Sequence, residues 1–282
     1  MQGKLTTIKN LAWALAIVVT LLALLLGLLF AAFSRYDGEM ERPTVQLGAA
    51  KTASGTAQGS DPADPDAPVQ SSTGRLIRLG ETADAGQAYI DSLTFLCDST
   101  TAGLLEYSML SGGSASTQVW CSETGSLPVG TLANCLIKYP NDGSVISPAE
   151  AAMVSKPGIL MLCIGQDGLM DVDQEGFVAN YEALIRSIQA ASPKTVIVCC
   201  SIPFVGAGYS GTDGLTPDAI SWANDWVQQV CIETGVYFCD VANAMRDSTN
   251  VLTSGFSTAN NKTLNRAGLS FYLQYLRTHA VQ

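Results

Sequence analysis

This sequence has a single histidine and is short of basic residues relative to acidic ones. Its 15 Lys and Arg stand against 25 Asp and Glu, a formal net charge of −10. A chain so charged offers no broad cationic surface to neutralise phosphates, which excludes nucleic acid as a partner. The single histidine, His279, has no set of ligands at metal spacing around it, and no C-x-x-C pair occurs, so a zinc site is not expected.

Charge is absent altogether from Leu11 to Phe33. About 23 residues of helix rise about 35 Å, enough to cross a hydrocarbon core of about 30 Å. A cleavable signal peptide would carry a shorter apolar region, about 7 to 15 residues, ending at a small-x-small site. Ala31-Ala32-Phe33-Ser34 offers no such site, and no cysteine follows for lipid attachment. Residues 11–33 are therefore expected to form an uncleaved transmembrane signal anchor, the chain's contact with the membrane. Lys4, Lys9 and the amino terminus face a mixed set of Arg35, Asp37, Glu39, Glu41 and Arg42 across it. That bias puts residues 1–10 in the cytoplasm and everything after Phe33 outside. Large apolar side chains are in turn missing between Ala49 and Pro68. Such a stretch cannot bury enough surface to offset its ordering entropy, so residues 34–80 are expected to be a flexible extracytoplasmic linker. Export permits disulfides, and Cys121 with Cys135 is the pair to test. Cys97, Cys163, Cys199, Cys200 and Cys239 instead sit in or beside apolar runs, where free thiols act as small hydrophobes.

From residue 81 onward, short apolar runs alternate with helical periodicity. Leu93 to Cys97, Gly158 to Ile164, Thr195 to Ile202 and Val236 to Cys239 are continuous apolar runs of strand length, as expected where both faces of a strand are covered. Between them, Phe177, Tyr181, Leu184, Ile185 and Ile188 form one helical stripe. A second helix is expected to open at Thr216-Pro217 and stop at Gly235. A last helix, from about Asn265, carries Leu269, Tyr272, Leu273 and Leu276 on one face. The alternation predicts an α/β fold for residues 81–282: a flavodoxin-like three-layer α/β/α sandwich with a mostly parallel sheet, preceded by the one transmembrane helix. Ligands of such folds bind beyond the carboxyl ends of the strands, so residues that closely follow the strands, such as Ser99, Gly165 and Ser201, should meet there.

Cys97-Asp98-Ser99-Thr100 closes the first of these strands. Read alone, Ser99 is a helix cap, or a hydroxyl beside free N–H groups suited to an oxyanion. The surrounding run, Tyr89-Ile90-Asp91-Ser92-Leu93-Thr94-Phe95-Leu96-Cys97-Asp98-Ser99-Thr100-Thr101, resembles the first block of the SGNH/GDSL hydrolases. Further pieces follow in the family's order. Gln118-Val119-Trp120 with Gly125-Ser126 is similar to the region of the oxyanion glycine. Ile164-Gly165-Gln166-Asp167-Gly168 stands at the family's Gly-x-Asn, and Leu264-Asn265-Arg266-Ala267-Gly268 follows its Asp-x-x-His. Tyr275-Leu276-Arg277-Thr278-His279 looks like the terminal helix of a membrane-anchored bacterial subgroup. The resemblance covers about Thr82 to Ala280. It implies an SGNH-hydrolase-like domain with Ser99 as the nucleophile position, Gly125 and Asp167 as oxyanion positions, and Asn260 and Thr263 where the family has its aspartate and histidine.

The departures decide what that implies. Neither Asn260 nor Thr263 takes a proton from a serine, and an ionised Asp167 accepts hydrogen bonds where the family donates one. His279 lies 14 residues into the last helix, about 20 Å from the site, beyond reach of Ser99. The expectation is a catalytically impaired, cell-surface pseudoenzyme that binds a ligand such as a cell-wall glycan or a small ester, without a cofactor. The alternative is an active serine ester hydrolase, an esterase or acetyl-glycan deacetylase, with an atypical base.

Three other patterns are set aside. Gly206-Ala207-Gly208-Tyr209-Ser210-Gly211 satisfies G-x-G-x-x-G but opens no helix, and reads as a loop on the strand-end face. Asp171, Asp173 and Glu175 read as capping and first-turn acids of the next helix. Trp222 and Trp226 share a helix face and read as packing residues.

Overall fold

The computed structural model of the protein describes residues 74–282. The expected cytoplasmic segment 1–10, the anchor 11–33 and the linker up to residue 73 lie outside the described residues. Among those described, no helix is long and apolar enough to cross a membrane.

The elements run β1 (Ile77–Arg78), α1 (Gly86–Ser92), β2 (Leu93–Cys97), α2 (Gly103–Glu106), β3 (Val119–Trp120), β4 (Ile137–Lys138), β5 (Val145–Ile146), α3 (Pro148–Ser155), β6 (Ile159–Cys163), α4 (Gln174–Ala191), β7 (Val196–Cys200), α5 (Pro217–Thr234), β8 (Tyr237–Cys239), α6 (Val241–Met245) and α7 (Arg266–Arg277). Six strands form one sheet in the order β1-β8-β7-β6-β2-β3, and every pairing in it is parallel. Flanking helices cover the sheet, so the three-layer α/β sandwich read from the sequence is the observed fold. β4 and β5 form a separate antiparallel pair.

Local chemistry explains where the long helices begin and end. Asp173 caps α4 by accepting from the Gly176 N–H. Thr216 caps α5, which starts on Pro217 and ends on Gly235 in the left-handed conformation. Asn265 accepts from both Ala267 and Gly268 N–H groups to open α7. Phe177, Tyr181, Leu184, Ile185 and Ile188 of α4 are all buried against the sheet.

The structure corrects the sequence reading at several points. β1 belongs to the sheet although it falls in the last residues of the segment expected as linker, with Leu79 buried just after it. No long helix opens at Ser99: residues 99–102 are turns, and α2 spans only Gly103–Glu106. The Cys121–Cys135 disulfide is not formed, and all eight cysteines are free thiols. Cys97 pairs in register with Cys163, and Cys200 with Cys239, so four of them cross the sheet as a row of small buried side chains.

Candidate active site

The carboxyl ends of β2 and β6 are tied together by Asp98. One carboxylate oxygen accepts the N–H groups of Gly165 and Gln166, each at 3.0 Å, and the other accepts the Thr100 N–H at 2.9 Å. Only 1% of Asp98 is exposed. Burial, with the nearby Asp167 charge adding to it, pushes its carboxyl up to about 6. Gly165 has φ +134°, and a Cβ there would lie 2.6 Å from Ile202, so this close approach needs glycine. The Gln166 amide donates to the Pro203 carbonyl at 2.9 Å and accepts from the Thr100 hydroxyl at 3.2 Å. These bonds fix the backbone that presents Asp167.

The Asp167 carboxylate, 5% exposed, gathers four donors. The Ser99 hydroxyl donates to one oxygen at 2.5 Å. The other accepts the Ser99 N–H at 3.1 Å, the Ser126 hydroxyl at 2.7 Å and the Leu127 N–H at 3.2 Å. Lys262 Nζ lies 3.9 Å from Asp167 and 3.0 Å from Asp213. The Ser99 N–H, Ser126 hydroxyl and Leu127 N–H converge on one carboxylate oxygen, the kind of donor set an acyl-transfer site offers a developing oxyanion. Here an internal carboxylate holds that point.

Ser99 and Asp167, from the expected set, are thus brought into direct contact. Gly125 takes a left-handed φ of +75° and spends its N–H on the Ser122 carbonyl at 3.0 Å, so the N–H reaching the site comes from Leu127 instead. Asn260 and Thr263 brace their own loop. The Asn260 side chain accepts from the N–H groups of Lys262 at 2.8 Å and Thr263 at 3.0 Å, and the Thr263 hydroxyl pairs with Thr258 at 2.8 Å. That loop abuts the site through the Leu264 N–H, which donates to the Thr100 carbonyl at 3.1 Å. Ser201 is buried and accepts from the Ala242 N–H at 2.8 Å, a structural role and not a site one. His279 bonds the Tyr275 carbonyl at 3.0 Å and stacks on the Tyr275 ring.

Ser126 lies in the Gly125-Ser126 piece read from the sequence, whereas Leu127 and Lys262 went unread. Gly206 of the glycine-rich loop donates to the Asn261 carbonyl at 2.7 Å, and Tyr209 donates to Asp213 at 2.7 Å. This loop therefore does lie against the strand-end face. Among the described residues, no three His, Cys, Asp or Glu side chains converge as a metal site.

The arrangement has limited acyl-transfer chemistry. Asp167 sits on the donors an ester oxygen would need, so one group cannot serve as base and leave the hole free.

Residues 141–260 match the GDSL-like lipase/acylhydrolase family, a span that includes Asp167 and Asn260 but not Ser99. No curated protein matches the sequence significantly. Among solved structures, one from Streptococcus pneumonia named for platelet activating factor is 20% identical, covering 66% of this chain and 82% of that one, with a TM-score of 0.50. A lipolytic protein of the G-D-S-L family from Desulfitobacterium hafniense DCB-2 is 16% identical, covering 67% of this chain and 99% of its own, with a TM-score of 0.47.

Proposed function

Since this chain carries a GDSL-like lipase/acylhydrolase domain, we propose that it is a non-hydrolytic version of that fold, a ligand-binding module held at the outer face of a membrane by Leu11 to Phe33. The ligand proposed is a cell-surface glycan lying across the strand ends. The observation that carries the reading is the place of the Asp167 carboxylate, which takes the hydroxyl and N–H of Ser99 together with the Ser126 hydroxyl and Leu127 N–H. A substrate carbonyl entering there meets a negative charge where it needs hydrogen-bond donors.

The full-length protein should hydrolyse p-nitrophenyl acetate hardly faster than its Ser99→Ala variant. Restoring the family pattern with Asp167→Asn, Asn260→Asp and Thr263→His together should raise the Ser99-dependent rate, because base and oxyanion donors act as a unit. The second reading, an esterase with an atypical base, draws on the 2.5 Å contact between Ser99 and Asp167. A native rate that falls about a hundredfold or more in Ser99→Ala would establish it and overturn the binding reading.

A further inference from the structure

Four thiols form a row beneath the strand ends. Cys97 closes β2, Cys163 closes β6, Cys200 closes β7 and Cys239 closes β8, four strands that lie side by side in the sheet. Cys97 pairs with Cys163 and Cys200 with Cys239, and the register that sets Leu162 opposite Cys199 carries on to set Cys163 opposite Cys200. Side chains level with one another on adjacent strands share a face, whereas Cys199, one residue earlier, points to the other. Tyr272 of α7 covers the row and donates its hydroxyl to Cys163 Sγ at 3.3 Å. All four thiols are buried, and Cys163 donates to Cys200 Sγ at 3.9 Å, the one thiol–thiol hydrogen bond among the described residues.

Small apolar side chains would fill this row as well as thiols do, but only thiols bring two oxidisable sulfurs into contact. Neighbouring strands lie about 4.8 Å apart, and a disulfide spans Cα separations of about 4.4 to 6.8 Å. The pair can therefore close without parting β6 from β7. Burial disfavours a charged sulfur at Cys200, yet hydrogen bonds from Cys163, Cys239 and Tyr272 outweigh it and draw that thiol below its ordinary value. Burial, and then the contact with Cys200, push Cys163 the other way. One sulfur is thus disposed to act as nucleophile while its neighbour keeps its proton. Neither is open to a bulky reagent, so the oxidant that fits is one the size of water.

We propose that Cys163 and Cys200 are an oxidisable pair, closed by hydrogen peroxide into a disulfide across β6 and β7 and reopened by thiol reductants. The Cys200 sulfur, having lost its proton, attacks one peroxide oxygen. The O–O bond breaks, the departing hydroxide takes up that proton as water, and Cys200 becomes a sulfenic acid. The Cys163 sulfur then attacks the Cys200 sulfur, the S–O bond breaks, and the hydroxyl leaves with the Cys163 proton as a second water. Two thiols are oxidised to one disulfide and one peroxide is reduced to two waters. Closure is independent of whether the cleft above binds a glycan.

The test is peroxide treatment of the folded full-length protein, followed by blocking of free thiols, tryptic digestion and mass spectrometry. Cleavage after Arg186 and Lys194 separates Cys163 from Cys200. The two fragments should be found joined, with the loss of two hydrogens, and dithiothreitol should part them. Cys199→Ala should leave the link in place, because that thiol faces away from the row. Cys163→Ala or Cys200→Ala should reduce the link at least about tenfold, with Cys163→Ser and Cys200→Ser as closer replacements where an alanine variant does not fold. No link in the folded protein, a link that forms only in urea, a link that survives in the Cys200 variants, or oxidation that runs on to sulfinic acid instead overturns the pair.

Discussion

Asp98 shows how a single side chain couples the site to the stability of the fold. Its carboxyl moves from an ordinary 3.8 to about 6 because burial, and then Asp167, penalise its charge. The folded chain thus holds this proton more tightly than the unfolded chain. The stability it contributes is complete below about pH 3.8 and is lost as pH rises through about 6. Surface acids such as Asp91 and Asp247, lowered by hydroxyl and backbone hydrogen bonds, act in the opposite sense, so a wild-type curve alone mixes the two. The difference in urea-unfolding free energy between wild type and Asp98→Asn isolates the residue. That difference should shift against wild type by on the order of 1 to 3 kcal/mol between about pH 4 and pH 7, and a difference that stays flat or shifts the other way refutes the account. Ser99 and Asp167 were legible as site positions because each follows a strand end at a family motif. Their contact was not, since it joins residues 68 apart that follow two different strands, and no local pattern announces it. Asn260 and Thr263 were read as unable to act as a base, and their hydrogen bonds within the 258–263 loop show what they do instead.

At the scale of elements, legibility follows the range of the forces involved. α4, α5 and α7 were readable because stripe, cap and stop signal all lie within one segment. The four main strands were found within about two residues at each end, since a run buried on both faces needs no partner to be recognised. β1 and β3 escaped because two residues carry no period. After Ser99, where a helix was expected, the chain instead makes tight turns, the Asp98 carbonyl accepting from both Thr101 and Ala102, and the short α2 starts only at Gly103. The seating of α7 is the tightest of these element contacts. A Cβ on Gly268 would lie 2.4 Å from the Phe256 carbonyl oxygen, a backbone atom that cannot rotate away. Gly268→Ala should therefore destabilise by more than about 2 kcal/mol despite alanine's better helix propensity. Ser270→Ala, on the exposed side of the same helix, should change stability by no more than about 0.5 kcal/mol. Equal unfolding midpoints for the two variants would mean that α7 shifts freely against the 253–258 segment.

For the whole molecule, the sequence pattern told that the sheet is parallel but not its order, because periodicity marks a strand as doubly covered without naming its neighbours. The placement of the domain relative to a membrane rests on a different kind of argument, a thermodynamic one about residues 11–33, which lie outside the described residues. Transferring this uncharged run out of a bilayer exposes about 20 apolar side chains to water, and each of the larger ones costs on the order of 1.5 to 3 kcal/mol. No single lipid-anchor equivalent approaches that, so the proposed anchor is effectively permanent unless the chain is cut. In the proposed topology Lys4 and Lys9 keep the amino terminus in the cytoplasm, with the long polar stretch and the folded domain on the outer side. The full-length protein should accordingly stay with membranes through an alkaline carbonate wash. Protease added to intact cells should find its easiest cuts among residues 34–73, whose sequence carries no large apolar side chain from Ala49 to Pro68, and should release a fragment that begins near residue 74 and keeps the sheet intact. A soluble form lacking only the first 33 or so residues, recovered from intact cells without protease, would show that the apolar run is a cleaved leader and would remove the membrane from the proposed function.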